Sequence, residues 1–333
     1  MRYISELIDE KKAVEKREGS VVLPGRDRTR KENRVNLIAL GDVGGTALMG
    51  LRLLGGDVIS SIGIYDLNEN VVKRYEMEIN QICFPDGRSL PEVTALEPGS
   101  ESLYDCDMLV FCATKGVPPV ATTASATAAG GAGHMDVRMI QLEANGELVS
   151  MYASEAVKRG FSGIFAVVSD PVDPLCAIAL KAGLEPEQIQ GYGLGVMNGR
   201  ASYHARRHER FARYLSEGRA FGPHGEDLVI ADSVTDYDDE ISRELTELTV
   251  RANMEVRAVG FKPYIAPALS SGAISLVETL GGGWNYSSVY LGGAFLGCRN
   301  RRCRDGIEME DLPLDDRLFR RIERAYENLK KLV

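Results

Sequence analysis

The stretch that most constrains the fold is residues 34–47, which read RVNLIALGDVGGTA. An apolar run from Val35 to Leu40 is followed by glycines and then by a pattern typical of a helix. A strand that leads through a glycine-rich turn into a helix presents backbone N–H groups to a pyrophosphate. The stretch therefore predicts the first βα unit of a nucleotide-binding fold, although an ordinary βα turn can contain similar residues.

The spacing of the small residues and a later acid indicate which nucleotide would bind. Ala39 stands where the tightest turn usually needs glycine, so we expect a slightly displaced phosphate loop. A second apolar run ends at Asp66, about where a ribose-binding carboxylate is expected. Because a carboxylate repels a 2′-phosphate, Asp66 favours NAD over NADP. The pyrophosphate would lie against four residues of the turn, Gly41, Asp42, Val43 and Gly44.

Composition excludes several classes of function. The net charge of −9 gives no general electrostatic reason to bind nucleic acid or an anionic membrane surface. No apolar run approaches the length of a membrane span, and the charged N-terminus is not a secretory signal. The six cysteines form no CxxC pair and predict the reduced thiols of a cytoplasmic protein. The chemistry-bearing residues show no metal-ligand spacing, so no metal site is predicted.

The length of 333 residues suggests two domains. From residue 33 strands alternate with helices, which predicts an α/β fold with a Rossmann-type doubly wound parallel sheet. We expect an N-terminal extension over 1–32, which either docks on a neighbouring subunit or stays mobile. An NAD-binding domain over 33–172 and an α+β catalytic domain over 173–333 would follow.

One low-complexity segment, residues 114–137, is rich in alanine, threonine and glycine. It follows directly after a predicted strand, where parallel sheets bind their ligands. A long segment of this kind is either a passive insertion or a functional cover. We interpret it as a mobile lid.

Three motifs after the lid carry side chains suited to chemistry. Residues 168–173 read VSDPVD, residues 191–200 read GYGLGVMNGR, and residues 221–226 read FGPHGE. A lone histidine usually has a structural role, but glycines on both sides of the Pro-His pair let the backbone bring His224 close to a ligand. Beside a candidate cofactor, this setting favours a functional His224.

In this order the motifs resemble the lactate/malate dehydrogenase family over about residues 33–333. The resemblance rests on AxGxxG with Asp66, the strand at 108–113, Arg138 followed by Asn145, and Ser-Asp-Pro-Val-Asp at 169–173. It continues through Gly-x-Gly leading to Arg200, the His224 motif, and Tyr-Ile-Ala-Pro-Ala at 264–268. It implies hydride transfer between NAD and a small carboxylate-bearing 2-hydroxy or 2-oxo acid, by a homodimer or homotetramer.

The resemblance also implies a role for each matched residue. His224 would be the general base that exchanges a proton with the substrate oxygen. Arg200 would clamp the substrate carboxylate, and Arg138, at the end of the lid, would polarise the substrate oxygen. Three further residues would line the cofactor, Ala113, Asn145 and Ser169.

Several positions depart from the family pattern. Family members pair the histidine with an aspartate three residues before the substrate-binding arginine, and that position is Met197 here. Asp170 replaces an asparagine that donates a hydrogen bond to the substrate oxygen, which an ionised carboxylate cannot do. The lid is about a dozen residues longer, and Pro263 stands where a threonine often lies beside the substrate. The specificity-setting position therefore cannot be assigned.

The first two departures suggest one linked change, since one carboxylate is lost and another appears in the same site. We expect Asp170 to take over part of the work of orienting His224 and stabilising its charge; alternatively, Asp170 binds a donor on the substrate, such as an ammonium group. The leading prediction is thus an NAD-dependent dehydrogenase with altered specificity. A weakly active or inactive NAD- or metabolite-binding relative, or an oxidoreductase acting on an amine, remains an alternative.

Overall fold

The structure is a computed structural model of the chain. It describes all residues except 10–13, 29–31, 98, 116–131 and 333. Side chains of the helical residues 132–140 are likewise outside the description.

Strands and helices alternate in the first part of the described chain and are mixed after residue 191. The strands are β1 (Glu15–Arg17), β2 (Ser20–Pro24), β3 (Asn33–Ile38), β4 (Ile59–Tyr65), β5 (Glu92–Ala95), β6 (Met108–Phe111), β7 (Ile164–Val167), β8 (Ile189–Gly191), β9 (Arg219–Phe221), β10 (Val229–Ala231), β11 (Asn285–Tyr290), β12 (Phe295–Cys303) and β13 (Gly306–Glu310). The α-helices are α1 (Asp42–Leu54), α2 (Glu69–Asn80), α3 (Ala132–Lys158), α4 (Val172–Lys181), α5 (Leu194–Ala205), α6 (Tyr214–Glu217), α7 (Asp239–Ala258), α8 (Ser275–Gly281) and α9 (Asp316–Lys331). A π-helix over Pro267–Ile274 runs directly into α8.

Six parallel strands form one half of the sheet, in the order β8-β7-β6-β3-β4-β5. The chain starts at β3 in the middle, winds outward to β5, and returns past β3 to β6, β7 and β8. The winding reverses between β3 and β6, and ligands of such sheets bind at the carboxyl ends of the strands beside this point. The predicted Rossmann-type doubly wound fold is confirmed.

Both faces of this half are covered, as its continuously apolar strands require. Successive residues of β3 point to opposite faces: Leu37 belongs to the core shared with α1, and Ile38 to the core shared with α3 and α4. Helix α1 also packs closely on the π-helix, because a Cβ built on Gly50 lies 2.4 Å from the Cβ of Ala273. This contact joins α1, the first helix of the parallel half, to the second half of the molecule.

The N-terminal segment is part of the fold. Strand β2 pairs antiparallel with β13, and β1 pairs with β2, which extends the antiparallel group β11-β12-β13. Val21 and Leu23 are buried in the core formed with Phe319 and Ile322 of α9. The described part of this segment thus completes a sheet of its own chain, an arrangement that the sequence analysis did not foresee.

Some predicted elements differ from the observed ones. The final residues of the predicted lid, from Ala132, already lie in α3, whereas residues 116–131 lie outside the described residues. Strand β11 joins β8 antiparallel through the Ser288–Gly191 pair, so the two halves share one sheet. Among the described residues no helix is both long and apolar enough to cross a bilayer.

Candidate functional site

The turn between β3 and α1 has the form of a phosphate-binding loop. Ala39 adopts the left-handed conformation, with φ of 73°, which an alanine adopts at a cost of about 1–2 kcal/mol. A Cβ on Gly44 would lie 1.9 Å from the carbonyl oxygen of Ala39, so only glycine fits there. A Cβ on Gly41 would meet no atom within 4 Å. The turn is therefore open at Gly41, beside the first-turn N–H groups of α1, which have no acceptor within the helix.

Asp66 follows β4 at the same edge of the sheet. Its Oδ2 accepts the N–H of Leu40 at 2.7 Å, and its Oδ1 accepts the N–H of Asn68 at 2.9 Å. The carboxylate thus ties the phosphate loop to the end of β4. Asp42, the first residue of α1, forms an ion pair with Lys262 of the second half, with Oδ2 and Nζ 2.9 Å apart. This pair neutralises an acidic group that would otherwise repel a phosphate.

The three remaining predicted cofactor residues form a hydrogen-bonded group at the ends of β6 and β7. Asn145, buried on α3, donates to the carbonyl of Asp170 at 2.7 Å and accepts from the N–H of Lys115 at 2.8 Å. Ser169 donates its hydroxyl to the carbonyl of Ala113 at 2.7 Å. These bonds fix the chain after both strands, including the backbone that carries Asp170.

His224 and Asp170 are in direct contact. The Nδ1 atom of the imidazole lies 2.8 Å from Oδ1 of the carboxylate. The histidine side chain is 18% exposed and the aspartate side chain 56% exposed, so the pair lies at the edge of the open site. His224 packs on Gly193, where an added Cβ would lie 2.8 Å from the Cβ of His224. The hypothesis that Asp170 orients His224 needs a contact between the two side chains, and the role itself stays a prediction.

Arg200 lies on α5 and faces the same carboxylate. Burial lowers the pKa of Arg200, while the charge of Asp170 raises it. Its Nη1 lies 3.5 Å from the sulfur of Met197, which is buried in an apolar cluster. The helix is held at its start by Ser271 of the π-helix, whose hydroxyl accepts the N–H of Val196 at 2.8 Å and donates to the carbonyl of Gly193 at 3.0 Å. The α5 helix therefore presents Arg200 with a thioether beside it instead of an acid.

A second carboxylate, that of Asp173, acts electrostatically on His224, and the sequence motifs assign it no role. Asp173, in the first turn of α4, is 4% exposed, and Ser288 of β11 donates a hydrogen bond to it. Burial raises the pKa of Asp173 to about 6, while Ser288 and His224 stabilise its ionised form. The sequence contains a feature that could have singled out this residue, because Asp173 is an acid at the start of the otherwise apolar helical run VDPLCAIAL.

One predicted residue and most of the predicted lid cannot be placed in this site. The backbone of Arg138 belongs to α3, but its side chain lies outside the described residues, as does the lid segment 116–131. Within the described part of the chain, no three acidic, histidine or cysteine side chains are grouped as a metal site would require. The described site therefore consists of Asp170, His224, Arg200 and the loops around them.

The known proteins to which this chain is similar are lactate and malate dehydrogenases. No protein-family model matches the chain. The chain is 29% identical over 198 residues to an L-lactate dehydrogenase of Staphylococcus saprophyticus, a match that covers 59% of this chain and 56% of the relative's length. A ligand-bound minor L-lactate dehydrogenase of Enterococcus mundtii superposes with a TM-score of 0.71 at 17% identity, over 91% of this chain and 98% of that one. A malate dehydrogenase of Archaeoglobus fulgidus in complex with NADH superposes with a TM-score of 0.69 at 18% identity, over 90% of this chain and 98% of that one.

The fold and the arrangement of its strands define an α/β protein of the Rossmann class with a C-terminal part of mixed helices and antiparallel strands. Within that class, the chain is similar to lactate and malate dehydrogenases over part of its sequence and shares their fold. The aligned region spans less than two thirds of the staphylococcal relative's length, and a shared fold does not by itself define an activity or a substrate.

Proposed function

We propose that the protein is an NAD-dependent oxidoreductase that acts on a small carboxylate-bearing 2-hydroxy or 2-oxo acid, with Asp170 in place of the usual acid partner of the catalytic histidine. The observation that carries the proposal is the 2.8 Å contact between Nδ1 of His224 and Oδ1 of Asp170. The position of Arg200 beside the same carboxylate supports it.

The residues of the phosphate loop fit a dinucleotide. Gly41 leaves the loop open at the N-terminus of α1, where backbone N–H groups and the helix dipole favour a pyrophosphate. Asp66 would accept from the ribose hydroxyls, and Val43, Ala113, Asn145 and Ser169 would line the cofactor. When bound, NAD would supply the hydride acceptor. The ion pair of Asp42 with Lys262 supports binding by cancelling an acid beside the phosphates.

His224 has one nitrogen available for proton exchange. When Nδ1–H donates to the Asp170 carboxylate, Nε2 carries the lone pair and can take the proton of a substrate hydroxyl. The resulting imidazolium is stabilised by the adjacent carboxylate. In the reverse direction the same nitrogen returns the proton. Asp170 thus acts through His224 in this scheme.

Arginines would bind the substrate. Arg200 is desolvated, and a guanidinium in such a place binds a carboxylate through two parallel hydrogen bonds. Arg138 is proposed to polarise the substrate oxygen, a role that rests on the family resemblance alone. Asp170 is 56% exposed, and its charge opposes an anionic oxygen beside it, which supports altered specificity.

The exposed carboxylate also favours a second candidate, the oxidation of an amine. A substrate ammonium group could pair with Asp170 while Arg200 holds its carboxylate. Amino acids and hydroxy acids would then compete for one site. The two candidates differ in which substrate reduces NAD.

One substrate panel tests the proposal. Purified protein is incubated with NAD and a series of 2-hydroxy and 2-amino acids, and with NADH and the matching 2-oxo acids, with and without ammonia. Absorbance of the reduced nicotinamide is followed. We expect turnover with a 2-hydroxy acid, and loss of it in His224→Gln and Arg200→Gln. Tight NADH binding without turnover on any acid would favour the inactive, metabolite-binding relative.

A further inference from the structure

We propose that Arg28 and Arg302 form a buried binding site for a small oxyanion of the class of inorganic phosphate. Arg28 follows β2 of the N-terminal segment, and Arg302 belongs to β12 of the antiparallel group. Both contact Glu187, which lies in a short 3-10 helix directly before β8. The proposed hydride transfer uses none of these residues, so the site adds a second binding function to the chain.

The guanidinium of Arg28 is buried with part of its hydrogen-bonding capacity unused. Its side chain is 9% exposed, and neither Nε nor Nη2 has an acceptor among the described residues. Its Nη1 donates to the carbonyl of Gly163 at 3.4 Å. Nε and Nη2 form one edge of the guanidinium, which can bind two oxygens of one anion in parallel. Because buried donors are nearly always paired, this edge indicates a bound acceptor.

A second guanidinium, that of Arg302, is buried beside the same segment. The residue is 4% exposed; its Nε donates to Oε1 of Gln190 at 3.0 Å, and its Nη2 donates to the carbonyl of Glu187 at 2.9 Å. Both acceptors are uncharged. Burial lowers the pKa of Arg302 to about 10, and the charge of Arg28 acts in the same direction. Arg302 is thus a buried cation whose hydrogen bonds to the described residues include no carboxylate.

The charges of this group do not balance. Oε1 of Glu187 lies 4.0 Å from Nη2 of Arg28, which is an ion pair but is too long for a hydrogen bond. The chain after β2 packs closely here, because a Cβ on Gly25 would lie 3.2 Å from the Cβ of Glu187. Two guanidiniums and one carboxylate leave a positive charge in a buried place, which is costly without an anion. An oxyanion on the open edge of Arg28 would supply both the acceptor and the charge.

The shape of the donor edge and its burial select the ligand. A halide has no pair of oxygens for the two parallel donors, whereas phosphate and sulfate have. Because Nε and Nη2 of Arg28 are shielded from solvent, the site suits a small free anion better than a phosphate group on a larger metabolite.

The test counts the radiolabelled inorganic phosphate bound per chain by equilibrium dialysis, at an ionic strength kept constant with sodium chloride. Wild type is compared with Arg28→Gln, so phosphate bound elsewhere in the protein cancels. The matched control is Arg219→Gln, because Arg219 is a buried arginine whose Nε and Nη2 are already bonded to Glu310, at 2.6 and 3.0 Å. Circular dichroism checks that each variant is folded.

We expect Arg28→Gln to bind one phosphate per chain fewer, or to weaken that site at least about 10-fold, and Arg219→Gln to bind as wild type. Glu187→Gln should tighten the site about 3-fold or more, since it removes a competing negative charge. Sulfate should displace the phosphate, and glycerol 3-phosphate should not.

Equal phosphate binding by wild type and folded Arg28→Gln overturns the inference, as does an equal loss in Arg28→Gln and Arg219→Gln. If Arg28→Gln does not fold, Glu187→Gln decides, because an unchanged phosphate affinity in this variant also overturns the inference. Wild type that binds no phosphate at millimolar concentration has the same consequence. None of these results depends on turnover of any acid, so the proposed function stands or fails separately.

Discussion

His224 and Asp170 meet across the two halves of the molecule, with Nδ1 and Oδ1 2.8 Å apart. The histidine comes from the loop after β9, and the aspartate follows β7 of the parallel sheet. Asn145 holds the backbone of Asp170 by a 2.7 Å hydrogen bond from α3. The imidazole therefore contacts the parallel half of the molecule directly, so its position depends on how that half packs on α5 and β11.

Gly193→Ala tests whether the close packing beneath His224 matters for activity. The added Cβ would lie 2.8 Å from the Cβ of His224, so the histidine must move. Because a displacement of about 1 Å can cost about 100-fold in rate, we expect kcat to fall about 10- to 100-fold. Steady-state kinetics and an NADH titration measure the effect, and NADH affinity should be nearly unchanged.

The control for this variant is a second glycine-to-alanine substitution, inside the helix α5 that Gly193 precedes. In Gly199→Ala, on α5, the added Cβ would meet Ser270 only at 3.6 Å, an ordinary contact. This variant should retain full activity. Equal losses in both variants would show that α5 tolerates no added methyl group, and would remove the support for a specific contact at Gly193.

Asp173→Asn should change how stability depends on pH. Burial raises the pKa of Asp173 from 3.8 to about 6, so this group favours folding when protonated, and that contribution is lost as pH rises through 6. The amide does not ionise. Between pH 4 and pH 7.5 the free energy of unfolding of the variant should therefore rise relative to that of the wild type by about 2 kcal/mol.

Urea unfolding followed by circular dichroism at a series of pH values measures this difference. Asp232→Asn, in which another buried carboxylate is replaced by its amide, is measured alongside as the matched substitution. A difference between Asp173→Asn and wild type that is independent of pH would mean that Asp173 titrates normally.

Asp66 should make the protein select NADH over NADPH. Placing a 2′-phosphate beside a carboxylate costs several kcal/mol, so we expect NADH to bind about 100-fold more tightly. In Asp66→Asn that preference should shrink to less than about 10-fold. Fluorescence titration gives both constants, and Asp86→Asn, an exposed acid paired with Arg88, controls for the change in net charge. Equal binding of the two cofactors by wild type would refute the assignment of Asp66.

The protein should form a homodimer or a larger homo-oligomer, as the family resemblance implies. Large apolar side chains are exposed on or next to α1 and the π-helix, among them Leu53 at 45%, Phe261 at 69% and Ile265 at 60% exposure. Light scattering should give at least twice the monomer mass of 36.4 kDa. Phe261→Asp should reduce the mass to that of a monomer, whereas Leu215→Asp, 49% exposed on α6, should not. A monomeric wild type would contradict this prediction.

The parts of the fold that sequence reasoning predicted are local in the chain. The turn from β3 to α1 is encoded by adjacent residues, since Gly44 is required by the carbonyl of Ala39. The contact of Asp170 with His224 was inferred over 54 residues only because the acid missing at position 197 and the acid gained at position 170 were complementary. That inference needed the family pattern as a reference.

The features that were missed depend on pairings distant in sequence. Ser288 and Asp173 are 115 residues apart, and Ser271 and Val196 are 75 apart. Nothing in the local sequence around these polar residues indicates a partner, because the partner comes close only in the folded chain. The pairing of β2 with β13 likewise depends on strand register, which the apolar pattern of residues 20–24 does not specify.

The most direct measurement compares the wild type with Asp170→Asn on the best substrate of the panel. If Asp170 orients His224 and stabilises its positive charge, kcat should fall about 100-fold or more while NADH still binds. The wild type should be active without an acid at position 197, so its turnover should not depend on the substitution Met197→Asp. An Asp170→Asn variant that turns over lactate or malate as fast as wild type, or faster, would contradict the proposed role of the carboxylate.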